Sequence, residues 1–208
     1  KSTVIPAGNA LIIDGTVTGS STPSDAGKIV IQTANGTPNG TIIIDCASNS
    51  TGGVTNAVYG TVQMFAKGFK DSETTWTDNF TGSPTYGQTF TTSYHWQQFG
   101  VPVESVQAEP SFYGSYIRAY DEKYNGDNTT YYNKWHVLNN SSMLDAFKGY
   151  EITQDVQTVY QLQGKLQFCD KTIHLTREAP GVGTKDVGEL ESNWRYGLGQ
   201  NVFGNSFT

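Results

Sequence analysis

Val58-Tyr59-Gly60-Thr61-Val62-Gln63-Met64-Phe65 alternates along its length. Val58, Gly60, Val62 and Met64 fall on one side of an extended chain, and Tyr59, Thr61, Gln63 and Phe65 on the other. A period of two fits a pleated strand and not a helix, whose faces repeat every 3.6 residues. The stretch also marks a change of pattern. Upstream, the apolar residues come in short contiguous runs, Ala10 to Ile13, Ile29 to Ile31 and Ile42 to Ile44. Each run is flanked by turn formers: Asp14-Gly15, Ala26-Gly27, Asn35-Gly36, Asn39-Gly40 and Gly52-Gly53. Glycine reaches positive φ at little cost and asparagine tolerates it, so these pairs predict turns between strands. Contiguous triplets such as Ile42-Ile43-Ile44 predict strands buried on both faces, as in a stacked solenoid coil or a sandwich core. The expected organisation is therefore a stacked, solenoid-like β segment over residues 1–56 and an antiparallel β-sandwich or jelly-roll-like domain over 57–208.

Downstream of Phe65, Lys70 to Thr92 is rich in Thr, Ser, Asp and Gly and reads as a long excursion or a ragged hairpin on the surface. Tyr94 to Val103 resumes a strand that Pro102 stops. One helical turn is expected between Val103 and Ala108, because the residue before Pro110 is pushed out of the helical region. Tyr116 to Tyr120 alternates into a polar tip, Asp121 to Asn128, and Tyr131 to Leu138 returns. Gly149 to Thr153 is a short strand. Val159 to Phe168 follows, with Tyr160, Leu162, Leu166 and Phe168 on one face and Gly164 marking a bulge or a close approach. Asp170-Lys171 is expected to turn the chain into a hairpin over Thr172 to Arg177, with Ile173 and Leu175 inward. Glu178 to Glu191 reads as a polar loop, and a last strand is expected near Phe203 to Ser206.

Composition agrees with an all-β reading. Val and Ile number 26 against 10 for Leu and Met, and β-branched residues lose less freedom on a sheet than in a helix. Only 15% of the 208 residues are charged, which excludes a coiled coil or a charged helical bundle. A protein of this length is long enough to bury a real core.

The net charge is −6, and the 13 basic residues are scattered. Phosphate neutralisation needs clustered Lys and Arg, so nucleic acid and an anionic membrane surface are both poor partners. The longest apolar run is far too short to span a bilayer. Cys46 and Cys169 have neither zinc-clip spacing nor the density of a disulfide-stapled fold, so two ordinary thiols are preferred over one long-range bridge. The sequence begins at Lys1 with no signal-peptide pattern, and a mature chain or an excised fragment is expected.

No catalytic signature emerges. His95, His136 and His174 are dispersed; His174 should face solvent, and His95 and His136 each neighbour a tryptophan and read as ring packing. The serine-hydrolase elbow and the phosphate-binding loop are absent from the sequence. Asp121 and Glu122 are adjacent, so on a strand they would point to opposite faces and make a poor acid and base pair. Asp121 to Asn128 has some character of a calcium loop, but Lys123 stands where an oxygen ligand belongs, and an ordinary acidic turn is preferred. Neither a cofactor nor a metal is expected. The density of rings, among them Trp96, Tyr113, Tyr116, Tyr120, Tyr124, Tyr131, Tyr132 and Trp135, fits core packing. It also leaves open a sugar-stacking platform, with Tyr124, Tyr131 and Tyr132 as the candidate ligand-binding residues.

From Tyr59 onward the order of features resembles a family of large exported surface proteins of the Bacteroidetes phylum. The resemblance rests on a succession of motifs. It runs from Gly60-Thr61-Val62-Gln63-Met64 through His95-Trp96 to Gly100-Val101-Pro102-Val103, then Tyr116 to Glu122 with Trp135 downstream. Lys148-Gly149-Tyr150-Glu151-Ile152, Leu162-Gln163-Gly164-Lys165-Leu166 and Gly204-Asn205-Ser206-Phe207-Thr208 follow. The segment Ile5 to Gly15 is similar to the stacked β turns that precede the sandwich in that family. The resemblance implies repetitive β segments followed by a sandwich and, often, a type IX secretion sorting tail. It makes Trp135, Gly149 and Tyr150 scaffold positions. Gly204-Asn205-Ser206 stands where that family usually has Gly-Asn-Pro, and the sequence stops inside the motif. A final sheet edge left unpaired or filled by a neighbour is therefore expected. The expected function is a non-enzymatic cell-surface or secreted adhesion module at the bacterial outer surface, with a glycan or another surface protein as partner. A carbohydrate-binding module is the alternative.

Overall fold

A computed structural model describes residues 1–68, 75–91, 96–121, 135–176 and 201–207, and within them the fold is all-β. The N-terminal strands are β1 (Thr3–Ile5), β2 (Ala10–Ile13), β3 (Ile29–Ile31) and β4 (Thr41–Ile44). They stack as successive coils: β1 lies parallel to β3 with Ile5 opposite Ile31, and β2 lies parallel to β4 with Ile13 opposite Ile44. Between β2 and β3 the backbone makes a 3-10 turn over Pro23–Lys28. There the Lys28 ammonium, 2.5 Å away, and the Thr22 hydroxyl hold the pKa of the Asp25 carboxyl down to about 2. Ile42 and Ile44 are buried but Ile43 is 52% exposed, so the triplet is not buried on both faces as its run of isoleucines predicts. Strand alternation turns Ile43 to the outer side of the coil, and that side is left open to solvent.

Fully buried Asn49 pins the corner after β4. Its side chain accepts from Val17 N at 2.8 Å and donates to Gly15 O at 3.1 Å and Asp45 O at 2.8 Å, so its polar atoms are satisfied inside the stack. A small hairpin follows, β5 (Ser50–Thr51) and β6 (Val54–Thr55), turning through Gly52 and Gly53, both at positive φ.

The next strands are β7 (Tyr59–Ala66), β8 (Thr75–Thr77), β9 (Thr89–Thr91), β10 (Gln97–Gly100) and β11 (Ser105–Gln107). β8 and β9 pair antiparallel, which is the hairpin alternative for that stretch. The helical turn falls at Ala108–Ser111, after β11 and around Pro110, rather than within Val103 to Ala108, because 105–107 is taken into a pairing with a later strand. β12 (Tyr116–Tyr120), β13 (Trp135–Val137), β14 (Met143–Asp145), β15 (Gly149–Thr153) and β16 (Thr158–Lys165) complete the strands.

Two four-stranded sheets result. The first has the order β1-β3-β7-β16: β7 continues the parallel stack, and β16 closes it antiparallel, from Tyr59 opposite Lys165 to Ala66 opposite Thr158. The second, β10-β15-β12-β13, is antiparallel throughout. The two sheets share one buried core, which includes Ile31, Val62 and Leu162 from the first and Ile117, Tyr150 and Ile152 from the second. A file of rings crosses it. Phe99 lies 5.7 Å from Tyr150 and 5.5 Å from Phe112, and Phe112 lies 5.0 Å from Tyr160. Gly164 is the close approach its position in the strand predicts, since a Cβ there would sit 2.9 Å from the Val103 Cβ.

Three further expectations are overturned. Cys46 and Cys169 are not free thiols; they form a disulfide with Cα atoms 5.2 Å apart. Sequence spacing could not show this. The proximity arises because β7 pairs with β3 on one side and β16 on the other, so the backbone leaving β16 runs back past Val58, bonded through Leu166 N, toward the corner after β4. The hairpin over Thr172 to Arg177 also fails. Residues 171–176 form no strand, and Ile173 and Leu175 are 41% and 68% exposed, because Thr176 bonds the Asn201 side chain instead of a neighbouring strand. The strand expected near Phe203 to Ser206 is reduced to one parallel bridge between Gln167 and Phe207.

Candidate functional site

Alternation on the second sheet sorts its residues into two faces. Phe99, Tyr150, Ile152, Ile117 and Ala119 face the core, so Arg118, Tyr120, Trp135 and Glu151 emerge on the other side. Register brings Arg118 directly opposite Glu151 on β15. The guanidinium Nε donates to Glu151 Oε2 at 2.6 Å. The same guanidinium lies 3.9 Å from the Trp96 ring centroid and 5.5 Å from that of Trp135. Tyr120 meets Trp135 edge-on at 5.4 Å. A planar cation suits this position, because it can face rings while keeping an in-plane hydrogen bond to a carboxylate.

The C-terminal residues 201–207 lie over one end of this face. Val202 O accepts from Gly149 N at 3.0 Å, and Gly204 passes directly over Gly100. Buried Ser206 accepts from Phe147 N through its Oγ at 2.7 Å, and the rings of Phe147 and Phe207 meet edge-on at 5.1 Å. Phe147 is held at φ 64, a conformation uncommon for a bulky residue.

Beside this cover lies a cleft of about 380 Å³, walled by 171–174, Thr176 and 201–203. That size is within the usual range for small-ligand sites, roughly 300–1,000 Å³. Tyr120, Phe147 and Phe203 contribute ring surface to it, and Lys148, Lys171 and His174 contribute donors. Lys148 is engaged with Asp145 at 2.7 Å. The arrangement sets ring edges and faces next to hydrogen-bond donors, which is chemistry for holding a polar molecule with apolar faces.

Of the residues singled out from sequence, Trp96, Tyr120 and Trp135 belong to this cluster, and Asp121 lines the cleft. His174 is exposed as expected, although on a segment that is not a strand. Tyr113 and Tyr116 are exposed, at 79% and 61%. Tyr124, Tyr131, Tyr132, His95, Glu122 and the rest of the acidic tip to Asn128 lie outside the described residues. Arg118 escapes sequence reading. Alternation with Ile117 places it on the outer face, but its carboxylate partner lies 33 residues away and only strand register brings the two together. Phe147 and Phe203 carry no sequence signal of their own.

No family model and no solved structure matches this chain. Along its whole length it is similar to the minor fimbrium subunit Mfa5 of Porphyromonas gingivalis, at 27% identity over 216 aligned residues. It spans 14% of the length of that protein. The expected relation to a Bacteroidetes surface protein thus has a counterpart in a curated sequence.

Proposed function

We propose that this protein is a non-enzymatic structural or adhesion module of a surface assembly in a Bacteroidetes-type bacterium, working outside the cell at the outer-membrane surface. The observation that carries the reading is the similarity of the whole of this chain to a stretch covering 14% of a minor fimbrium subunit. The long-range disulfide supports it, since such bonds persist in oxidising, extracytoplasmic compartments. In this reading residues 1–56 form a stacked β connector and 57–208 the sandwich that meets the partner, another surface protein. The test uses antibody against the purified protein on intact and mechanically sheared cells of the producing bacterium. Labelling of intact cells and recovery in the sheared appendage fraction are expected. Confinement to the cytoplasm, or saturable substrate turnover by the purified protein, overturns the reading.

The cleft favours a second reading, a carbohydrate-binding module. Pyranose C–H faces pack against aromatic rings, and Tyr120 and Phe203 stand beside the Lys171 and His174 donors. Tyr124, Tyr131 and Tyr132 extend the same ring-based reading. A glycan array probed with the parent protein and with Phe203→Ala tests it. Signal lost in the variant supports it, and an empty array removes it while leaving the first reading standing.

A further inference from the structure

The two Asn-Gly pairs of the second coil have the same local sequence chemistry and opposite structural settings. We propose that Asn35-Gly36 is a site of spontaneous deamidation, and that the fold protects Asn39-Gly40 only four residues away. The inference is independent of the adhesive reading above.

The reaction is intramolecular. The backbone nitrogen of the glycine, having lost its proton to solvent base, attacks Cγ of the preceding asparagine. The new bond from nitrogen to Cγ closes a five-membered succinimide, and the bond from Cγ to Nδ2 breaks as that nitrogen takes a proton from solvent and leaves as ammonia. Water then opens the ring at one of its two carbonyls, leaving aspartate or isoaspartate. No electrons change hands, and water is the only co-reactant. The step requires an accessible glycine N–H, an asparagine amide free to rotate onto it, and backbone able to flex. Glycine favours it because no Cβ obstructs the attack.

Asn35-Gly36 meets the first two requirements and lies on an exposed turn. It forms the tip of a tight turn bracketed by a bridge between Ala34 and Thr37, with Thr37 N donating to Ala34 O at 3.2 Å and Gly36 at φ 74. Both residues are exposed. Among the described residues, neither the Gly36 N–H nor the Asn35 amide has a hydrogen-bond partner, and a Cβ placed on Gly36 would meet nothing within 4 Å.

Asn39-Gly40 fails on each requirement. Gly40 is buried, and its N–H donates to Gln32 O at 2.8 Å. Its Cα is pressed against the first coil, so that a Cβ there would sit 2.6 Å from Ile5 O. The Asn39 amide oxygen accepts from the Thr33 hydroxyl at 2.6 Å, which restrains the amide as well. Attack at this pair requires the strand-to-strand contact between the coils to open first. The product at position 35 adds one negative charge to the exposed turn between β3 and β4, and isoaspartate lengthens the backbone there by one carbon. Folded protein carrying this turn would accumulate charge variants with age.

The test incubates the folded protein in mildly alkaline buffer at body temperature and maps deamidation at each residue by tandem mass spectrometry after reduction and digestion. The same protein kept unfolded in denaturant is the reference. Position 35 is expected to convert about tenfold or more faster than position 39 in the folded protein, since reaction at 39 requires breaking at least one buried hydrogen bond. In the unfolded state the two rates should be similar. Gly36→Ala should suppress conversion at 35 in both states and leave 39 unchanged. Equal rates at 35 and 39 in the folded protein, or faster conversion at 39, overturn the proposal.

Discussion

Gly100 and Gly204 cross at a distance that excludes any side chain on either: a Cβ on Gly100 would lie 2.5 Å from the Gly204 Cα, and one on Gly204 would lie 2.2 Å from the Gly100 Cα. The contact seats the C-terminal segment on the second sheet. Gly100→Ala must therefore push two backbones apart, at a cost of about 1–3 kcal/mol. Gly19→Ala is the comparison. Its surroundings are open, so only its positive φ is strained, and the cost should be about 1 kcal/mol. Urea midpoints for the two variants check the difference. A Gly100→Ala variant no less stable than Gly19→Ala would mean that the segment docks elsewhere.

The Cys46 to Cys169 bridge closes a loop with a sequence separation of 123. On chain-entropy grounds a loop of that size restricts the unfolded ensemble by roughly 4–5 kcal/mol, and native disulfides commonly contribute about 2–5. A Cys46→Ala, Cys169→Ala double variant should unfold at markedly lower denaturant. Adding a thiol reductant should shift the parent protein toward it and leave the variant unmoved. Equal midpoints with and without reductant, with the bond shown by mass spectrometry to have been broken, would contradict a structural role.

Arg118 holds a carboxylate and faces two indoles at once. Removing it by Arg118→Ala leaves Glu151, which is 8% exposed, as an uncompensated buried charge, and the expected loss is about 3–5 kcal/mol. Arg118→Lys should recover only part of this, because an ammonium cannot stack on a ring as a planar guanidinium does. Both variants should change tryptophan emission through Trp96 and Trp135. Full rescue by lysine would show that charge alone matters at this position.

Much of this arrangement is legible in the sequence, for a physical reason. Strands declare themselves locally, so Ala10 to Ile13, Tyr116 to Tyr120 and Gly149 to Thr153 can be placed to the residue from alternation, β-branching and flanking turns. Gly164 could be read as a close approach because glycine inside a strand has few other uses. What the residues do not declare is register. Arg118 finds Glu151, and Cys46 finds Cys169, only once β12 is set against β15 and β7 between β3 and β16. Ile173 and Leu175 mislead for the same reason. Their alternation satisfies the local rule for a strand, but no strand among the described residues accepts it, and the two side chains stay exposed.

Tyr150 makes stability depend on alkaline pH. Burial pushes the pKa of its phenol up to about 12, and the hydroxyl accepts from Asp145 N at 2.7 Å. In the unfolded protein the same group titrates near 10. Below pH 10 both states carry the proton and the native state keeps its full advantage. Between 10 and about 12 the unfolded state ionises while the folded state does not, so stability falls with rising pH, by about 2–3 kcal/mol across the window. Tyr160, raised by burial and bonded to the Ser115 hydroxyl, adds a loss of the same sign. Tyr150→Phe is expected to lower stability near neutrality, because Asp145 N loses its acceptor, yet to decline less steeply in alkali. Urea titrations at intervals from about pH 9 to about pH 11.5 measure both effects. An unchanged alkaline slope in the variant would mean that the phenol ionises as readily in the folded protein as in the unfolded one, contrary to its place against Phe99 in the shared core.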